Sequence, residues 1–262
     1  MKHKLADRID KIQPSFTLQM ATIAAELRAK GESVINFSVG EPDFNTPENI
    51  INAGKKAMDQ GHTKYTAGPG MIEFRQAICK KLKLENGLDY STDEILVSNG
   101  EKQSLSTACQ ALFEQGDEVI VFQPYWVSFP EFIRLADAEP LLINTLPEKN
   151  FEPDFEELLS KDLKAVKGVI LNSPSNPTGG VWGEEALIRM LKIAKKHNWI
   201  VISDECYERL VYDGEFTSTE RINQDHNINA TVITCLSLSK TYSMTGWRIG
   251  YSAGPAYIIK AM

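Results

Sequence analysis

Lys240 stands among Ser237, Ser239 and Thr241 and is followed by Gly246-Trp247-Arg248. A lysine amine has a reference pKa near 10.4, so it becomes a nucleophile at neutral pH only when desolvated or set beside other cations. Arg248 is such a cation, and it would also hold an anion such as a phosphate. A surface lysine beside serines accounts for the same residues without chemistry. Asp204 directly follows Trp199-Ile200-Val201-Ile202-Ser203, so its carboxylate should emerge at the edge of an apolar strand. A buried carboxylate needs a partner, and a protonated pyridine nitrogen is one that fits. The competing reading is a helix N-cap for the segment opening at Glu205. Tyr207 lies three residues on, which in a helical turn would put its phenol on the same face. Gly100-Glu101-Lys102 would open a helix whose free N–H groups cradle a phosphate, although many α/β proteins carry glycine at such a turn. Trp126 could stack on an aromatic ring or simply pack.

These residues need elements to position them. Apolar spacing predicts helices over 14–30 and 72–85, and a third that runs to Gly61 with Thr46 as N-cap and Pro47 at the first helical position. Amphipathic stretches over 102–114, 126–136 and 184–197 alternate with short β-branched runs. The predicted strands are 94–98, 118–122, 140–143, 168–172, 200–203, 230–237 and 248–253. Such alternation implies an α/β fold with a mostly parallel sheet flanked by helices. In that architecture ligands collect beyond the carboxyl ends of strands. Five strand ends carry polar clusters there: 99–102, 124–126, 172–179, 204–207 and 237–240.

Composition narrows the partners. The chain has 262 residues, 42% hydrophobic and 24% charged, with a net charge of −7, which disfavours nucleic acid. No apolar run is long enough to cross a membrane, and residues 1–13 are polar where a signal peptide would be apolar, so a cytoplasmic location is expected. Cys79, Cys109, Cys206 and Cys235 form no C-x-x-C, and His3, His62, His197 and His226 form no H-E-x-x-H, so no metal site is expected. Gly68-Pro69-Gly70 is followed by Glu73 where a dinucleotide fingerprint requires glycine, and no P-loop occurs.

Motifs spread along the whole chain resemble the fold-type-I, pyridoxal-phosphate-dependent class I aminotransferases, specifically the bacterial aspartate/prephenate subgroup. They are Ser38-Val39-Gly40-Glu41-Pro42-Asp43-Phe44, Lys64-Tyr65-Thr66, Gly100-Glu101-Lys102-Gln103 and Pro124-Tyr125-Trp126-Val127-Ser128. Further on come Ser173-Pro174-Ser175-Asn176-Pro177-Thr178-Gly179, Asp204-Glu205-Cys206-Tyr207, Ser237-Leu238-Ser239-Lys240 and Gly246-Trp247-Arg248-Ile249-Gly250-Tyr251. The resemblance implies pyridoxal 5'-phosphate as cofactor and amino-group transfer from an amino acid to a 2-oxo acid. It implies that Lys240 is the Schiff-base lysine and proton carrier. Asp204 would face the ring nitrogen, Asn176 and Tyr207 the ring hydroxyl, and Trp126 the ring face. Gly100, Glu101, Lys102, Ser237, Ser239 and Arg248 would form the phosphate cup. Tyr65 would reach the phosphate of a neighbouring subunit, implying a homodimer with shared sites, and Gly40, Trp126 and Asn176 would meet the substrate. The implied organisation is an N-terminal arm with part of a small domain over 1–45 and a large cofactor domain over 46–262.

Three departures bear on these expectations. Family members continue past the Gly246 motif to an arginine that grips the substrate carboxylate, so these 262 residues alone are expected to be weakly active or inactive. Glu101 replaces a small residue, and its side chain is expected to face solvent, away from the phosphate. Gln13 stands where some acid-specific relatives have lysine, which weakens aspartate as the preferred donor. The nearest rival is a carbon–sulfur lyase of the same fold; a non-catalytic effector-binding module of a regulator is another, with no DNA-binding segment in 1–13 to support it.

Overall fold

The computed structural model describes residues 3–14, 16–37 and 40–262; Ser38 and Val39 of the first motif lie outside the described residues. Among the described residues the strands are β1 (Ile95–Ser98), β2 (Glu118–Gln123), β3 (Glu139–Leu146), β4 (Glu152–Pro153), β5 (Val166–Asn172), β6 (Ile200–Asp204), β7 (Thr231–Ser237) and β8 (Gly250–Ala253). They form one sheet in the order β1-β8-β7-β6-β5-β2-β3-β4. The pairs from β7 through β6, β5 and β2 to β3 are parallel, while β8 is antiparallel to both β7 and β1, and β4 to β3. All seven predicted strands are present. The two-residue β4 is too short to leave a periodic signal.

The helices are α1 (Arg8–Lys11), α2 (Phe16–Ala29), α3 (Glu48–Asp59), α4 (Ile72–Lys81), α5 (Glu101–Leu112) and α6 (Phe129–Leu135). Then follow α7 (Phe155–Ser160), α8 (Glu184–His197), α9 (Thr219–Asp225), α10 (Leu238–Thr241) and α11 (Ala256–Ala261). Strand periodicity sends alternate side chains into two cores. Val169 and Leu171 of β5 and Val201 of β6 pack with Leu187, Met190 and Leu191 of α8. Ile170, between the first two, and Ile202, next to Val201, pack on the other face with Leu105 of α5 and Ile133 of α6. A smaller cluster joins Ile78 of α4 to Ile95 and Tyr251 at the β1–β8 edge. A sheet covered on both faces explains why β5, β6 and β7 read as unbroken apolar runs.

Several boundaries differ from expectation. The N-cap of α3 is Pro47, not Thr46; the Thr46 hydroxyl instead donates to the Ser243 carbonyl at 2.6 Å and accepts from Trp247 Nε1 at 3.0 Å. The helix expected from 72 ends at Lys81 and widens into a π turn, Leu82–Asn86, that stops at Gly87 with φ 68°. The helix expected over 126–136 starts only at Phe129, which leaves Trp126 in the preceding turn. Residues after Asp204 form a turn rather than a helix, so Asp204 is no helix N-cap.

Candidate functional site

One edge of the sheet gathers the chemistry. Because β8 runs antiparallel between β1 and β7, the ends of β1, β5, β6 and β7 all face the same way. The register sets Ser98 against Gly250, Gly250 against Ser237, and Asn172 against Asp204. Three segments that leave this edge, after β1, β6 and β7, carry Lys102, Tyr207 and Lys240.

Lys240 lies on the single turn of α10. Ser237 caps that turn, its hydroxyl oxygen accepting from the Ser239 N–H at 2.9 Å. Lys240 Nζ donates to the Gly40 carbonyl at 2.7 Å and lies 5.9 Å from the centroid of the Tyr207 ring. Gly40 therefore meets the lysine through its carbonyl. Asn176 Nδ2 donates to the Tyr207 hydroxyl at 3.3 Å. Burial, then the neighbouring Cys206 and Asp204, pushes the Tyr207 phenol above its ordinary value, so it stays a neutral hydrogen-bond donor.

Asn172 holds this corner together, and sequence reasoning gave it no role beyond a strand end. Its side-chain oxygen accepts from the Asn176 N–H at 2.7 Å, and its amide donates to the carbonyls of Pro174 and Asp204, each at 3.3 Å. Asp204 ends β6 with 5% of its surface exposed, and its Oδ1 accepts from the Cys206 N–H at 3.1 Å. Burial raises its carboxyl to about 6. Its neighbour Glu205 is also buried and is raised to about 7 by burial, although it accepts from the Thr219 N–H at 2.9 Å and from the hydroxyls of Ser203 and Ser218.

The other end of the site is cationic. Gly100 has φ 75°, and a Cβ there would lie 2.2 Å from an Arg248 guanidinium nitrogen, so the turn into α5 and the approach of Arg248 both require glycine. Gly250 is equally constrained, since a Cβ would come within 2.4 Å of the Glu101 amide nitrogen. Lys102 Nζ sits 4.9 Å over the Trp126 ring. Its amine is lowered from the usual lysine value by burial and then by Arg248. Arg248 takes φ 54°, uncommon for a residue with a side chain, and donates to the Thr245 carbonyl at 2.7 Å. Neither cation has an ion pair among the described residues. Two close, unneutralised cations beside the start of α5 suit a doubly charged anion.

Two expectations fare differently. Glu101 does not face solvent: its side chain is 7% exposed and turns inward against Asp204 and Cys206. Packing of β8 against the first turn of α5 shuts it in, which a sequence motif cannot convey. Tyr65 is fully exposed and is not brought to the other site residues in this chain. The remaining candidates, from Gly40 to Arg248, converge on one sheet edge.

A family model described as aminotransferase class I and II matches residues 32–262. The chain belongs to this family. Its members depend on pyridoxal phosphate and transfer amino groups. The chain is 45% identical to an aspartate aminotransferase of Bacillus sp. (strain YM-2) over 263 residues, covering 100% of this chain and 67% of the relative. It is 41% identical to the aspartate/prephenate aminotransferase of Thermus thermophilus, covering 98% of this chain and 66% of that protein. A solved Thermus thermophilus aspartate aminotransferase with maleate superposes with a TM-score of 0.93 at 40% identity, covering 99% of this chain and 67% of that one. This family chain thus spans about two thirds of the length of the relatives it matches. Among the described residues no helix is long and apolar enough to cross a membrane, and no group of histidine, cysteine or acidic side chains is arranged to hold a metal.

Proposed function

We propose that this chain carries the cofactor centre of an aminotransferase that moves the amino group of an L-amino acid to a 2-oxo acid, with Lys240 as the proton carrier. The observation that supports this most is the gathering at one sheet edge of Lys240, the buried acid Asp204 and the cations Lys102 and Arg248, which have no ion pair among the described residues. Pyridoxal phosphate, when bound, supplies a cationic ring that draws electrons from the substrate. Asp204 keeps the ring nitrogen protonated, because a carboxylate shielded from water has no better partner than a cation. Asn176 and Tyr207 hold the ring hydroxyl, and Trp126 lies against the ring face. The N–H groups of Gly100 and Glu101, with Lys102, Ser237, Ser239 and Arg248, hold the phosphate. Lys240 would carry the proton between the substrate α-carbon and the cofactor carbon. The N–H of Gly40 serves the substrate carboxylate.

The same reading assigns residues 1–45 to an arm and part of a small domain, and 46–262 to the large domain. Exposure of Tyr65 suits a homodimer in which Tyr65 completes the neighbour's phosphate site, and we place that dimer in the cytoplasm. Aspartate and prephenate are named for the relatives; the neutral Gln13 leaves the donor of this chain open to uncharged amino acids. The test is to add pyridoxal phosphate and record the near-visible absorbance, then to screen amino acids for its loss. A band that Lys240→Ala abolishes supports the reading. Equal spectra for the two proteins would sink it.

A further inference from the structure

Two carboxyl side chains meet at the inner end of the site, where water is shut out. Asp204 is 5% exposed and Glu101 7%, and the Glu101 carboxyl reaches both the Asp204 carboxyl and the Cys206 thiol. Glu101 Oε1 is sealed from solvent and accepts from no donor among the described residues. Ionised carboxylates only accept hydrogen bonds, so two of them in dry contact repel unless one keeps a proton. Their other partners decide which one does. Asp204 accepts a backbone N–H at 3.1 Å, which favours charge there. Glu101 is offered only a thiol, a weak donor. The N-terminal end of α5 favours charge on Glu101, but a helix end contributes less than leaving a buried charge unpaired costs. Burial first, and Asp204 second, hold Glu101 well above the usual carboxylate range.

We propose that Glu101 is a positioning residue for Asp204: as a neutral acid it donates a hydrogen bond from its carboxyl O–H to the Asp204 carboxylate, keeping that group ionised and aimed at the cofactor's ring nitrogen. The inference rests on the cofactor reading above. One residue then serves both ends of the site, its backbone N–H toward the phosphate and its side chain toward the partner of the ring nitrogen. No bond is made or broken beyond the shared hydrogen bond.

The ionisable groups around the pair come from four elements. Cys206 and Tyr207 on the turn after β6, Cys235 on β7 and Tyr251 on β8 are all held above their ordinary values by burial and stay neutral. Lys240 on α10 supplies a cation near Cys206. Glu205, raised to about 7, is the remaining group that titrates in the same range, and it is unchanged in the variants that follow.

The test is a pH titration of pyridoxal phosphate uptake in the unsubstituted chain, Glu101→Gln and Glu101→Ala. Alanine removes the donor, so Asp204 holds its own proton more tightly and the acid limb of uptake moves up by about one pH unit, a tenfold loss of affinity on that limb. Glutamine donates without titrating and keeps the midpoint within about 0.3 unit. A Gln variant that shifts like Ala, or two variants that both fail to shift, overturns the inference, since mere space-filling makes no distinction between them. A second readout needs no cofactor. An acid raised by folding adds stability that is full below its unfolded value of 4.5 and is lost as pH rises toward the folded value. The melting temperature of the cofactor-free chain should therefore fall less steeply above pH 4.5 in Glu101→Gln. Equal slopes overturn the shared proton even if the unsubstituted chain takes up no pyridoxal phosphate, an outcome that by itself would overturn the parent reading.

Discussion

The two ends of the site are built from opposite materials. At the inner end, Glu101, Asp204 and Glu205 are buried acids, each raised by loss of water. At the outer end, Lys102 and Arg248 are cations on a turn and a helix start, and neither has a carboxylate partner among the described residues. A self-sufficient protein would bring the two sets together as ion pairs, because buried charges are costly alone. Here neither set neutralises the other among the described residues, and Lys240 shares their sheet edge. Such a division complements a ligand with a cation at one end and a dianion at the other. It also implies that the two ends perform separable work: the acids set the electronics of the ring, and the cations set how tightly the cofactor is held.

That separation can be broken by exchanging one residue at each end. Asp204→Asn leaves the phosphate contacts intact but cannot stabilise a protonated ring nitrogen. Turnover at saturating cofactor should fall by about 10²–10³-fold, and cofactor affinity by about tenfold, the loss that protonation of Asp204 causes in the unsubstituted chain. Arg248→Ala removes a charge-assisted contact worth about 1.5–3 kcal/mol, so affinity should weaken by about 10–100-fold and turnover should recover at high cofactor. Steady-state kinetics across a range of pyridoxal phosphate concentrations reads both. If the two variants lose affinity and turnover in the same proportion, the ends are not separable.

The pH dependence of stability gives a milder version of the same contrast. Asp204 rises from an ordinary 3.8 to about 6 in the folded chain. A raised acid stabilises fully below its unfolded value and loses that contribution as pH climbs through the folded one. The cofactor-free chain should therefore lose melting temperature between pH 4 and 6 on account of Asp204. A ring cation beside the carboxylate cancels that loss, so the gain in melting temperature on adding cofactor should grow over the same window. A gain that shrinks as pH rises would contradict the placement of Asp204 at the ring nitrogen.

Much of this is legible in the amino-acid sequence alone. Unbroken β-branched runs located β5, β6 and β7, and the polar residue closing each run located Asn172, Asp204 and Ser237. Those signals are local, and the sheet only has to bring strand ends together. What stayed hidden depends on contacts between distant segments. Glu101 sits beside a phosphate motif, so its charge argued for solvent; only the close passage of Gly250 over the α5 turn seals it inward. Asn172 read as a strand end because nothing in sequence shows that its amide reaches Asp204 and its oxygen Asn176. Thr46 read as a helix cap, since threonine before proline has that local meaning. Its hydroxyl is claimed instead by residues about two hundred positions away.

Thr46 offers the finest test of the division between the ends. Its hydroxyl donates to Ser243 and accepts from Trp247, and so ties the start of α3 to the loop that delivers Arg248. It touches nothing at the acidic end. Thr46→Val keeps the shape and removes both hydrogen bonds, each contributing about 0.5–1.5 kcal/mol when well shielded. The bond to Trp247 is exposed and that to Ser243 half-buried, which places the total toward the low end. Cofactor affinity should then weaken by about 2–5-fold, as Arg248 is held less firmly. The pH midpoint of uptake should stay where it is, because Asp204 and Glu101 are undisturbed. Titrating uptake against pH and cofactor concentration in one experiment separates the two readouts. A shifted midpoint with unchanged affinity would show that the loop acts on the acidic end after all, and that the two ends share one mechanical support.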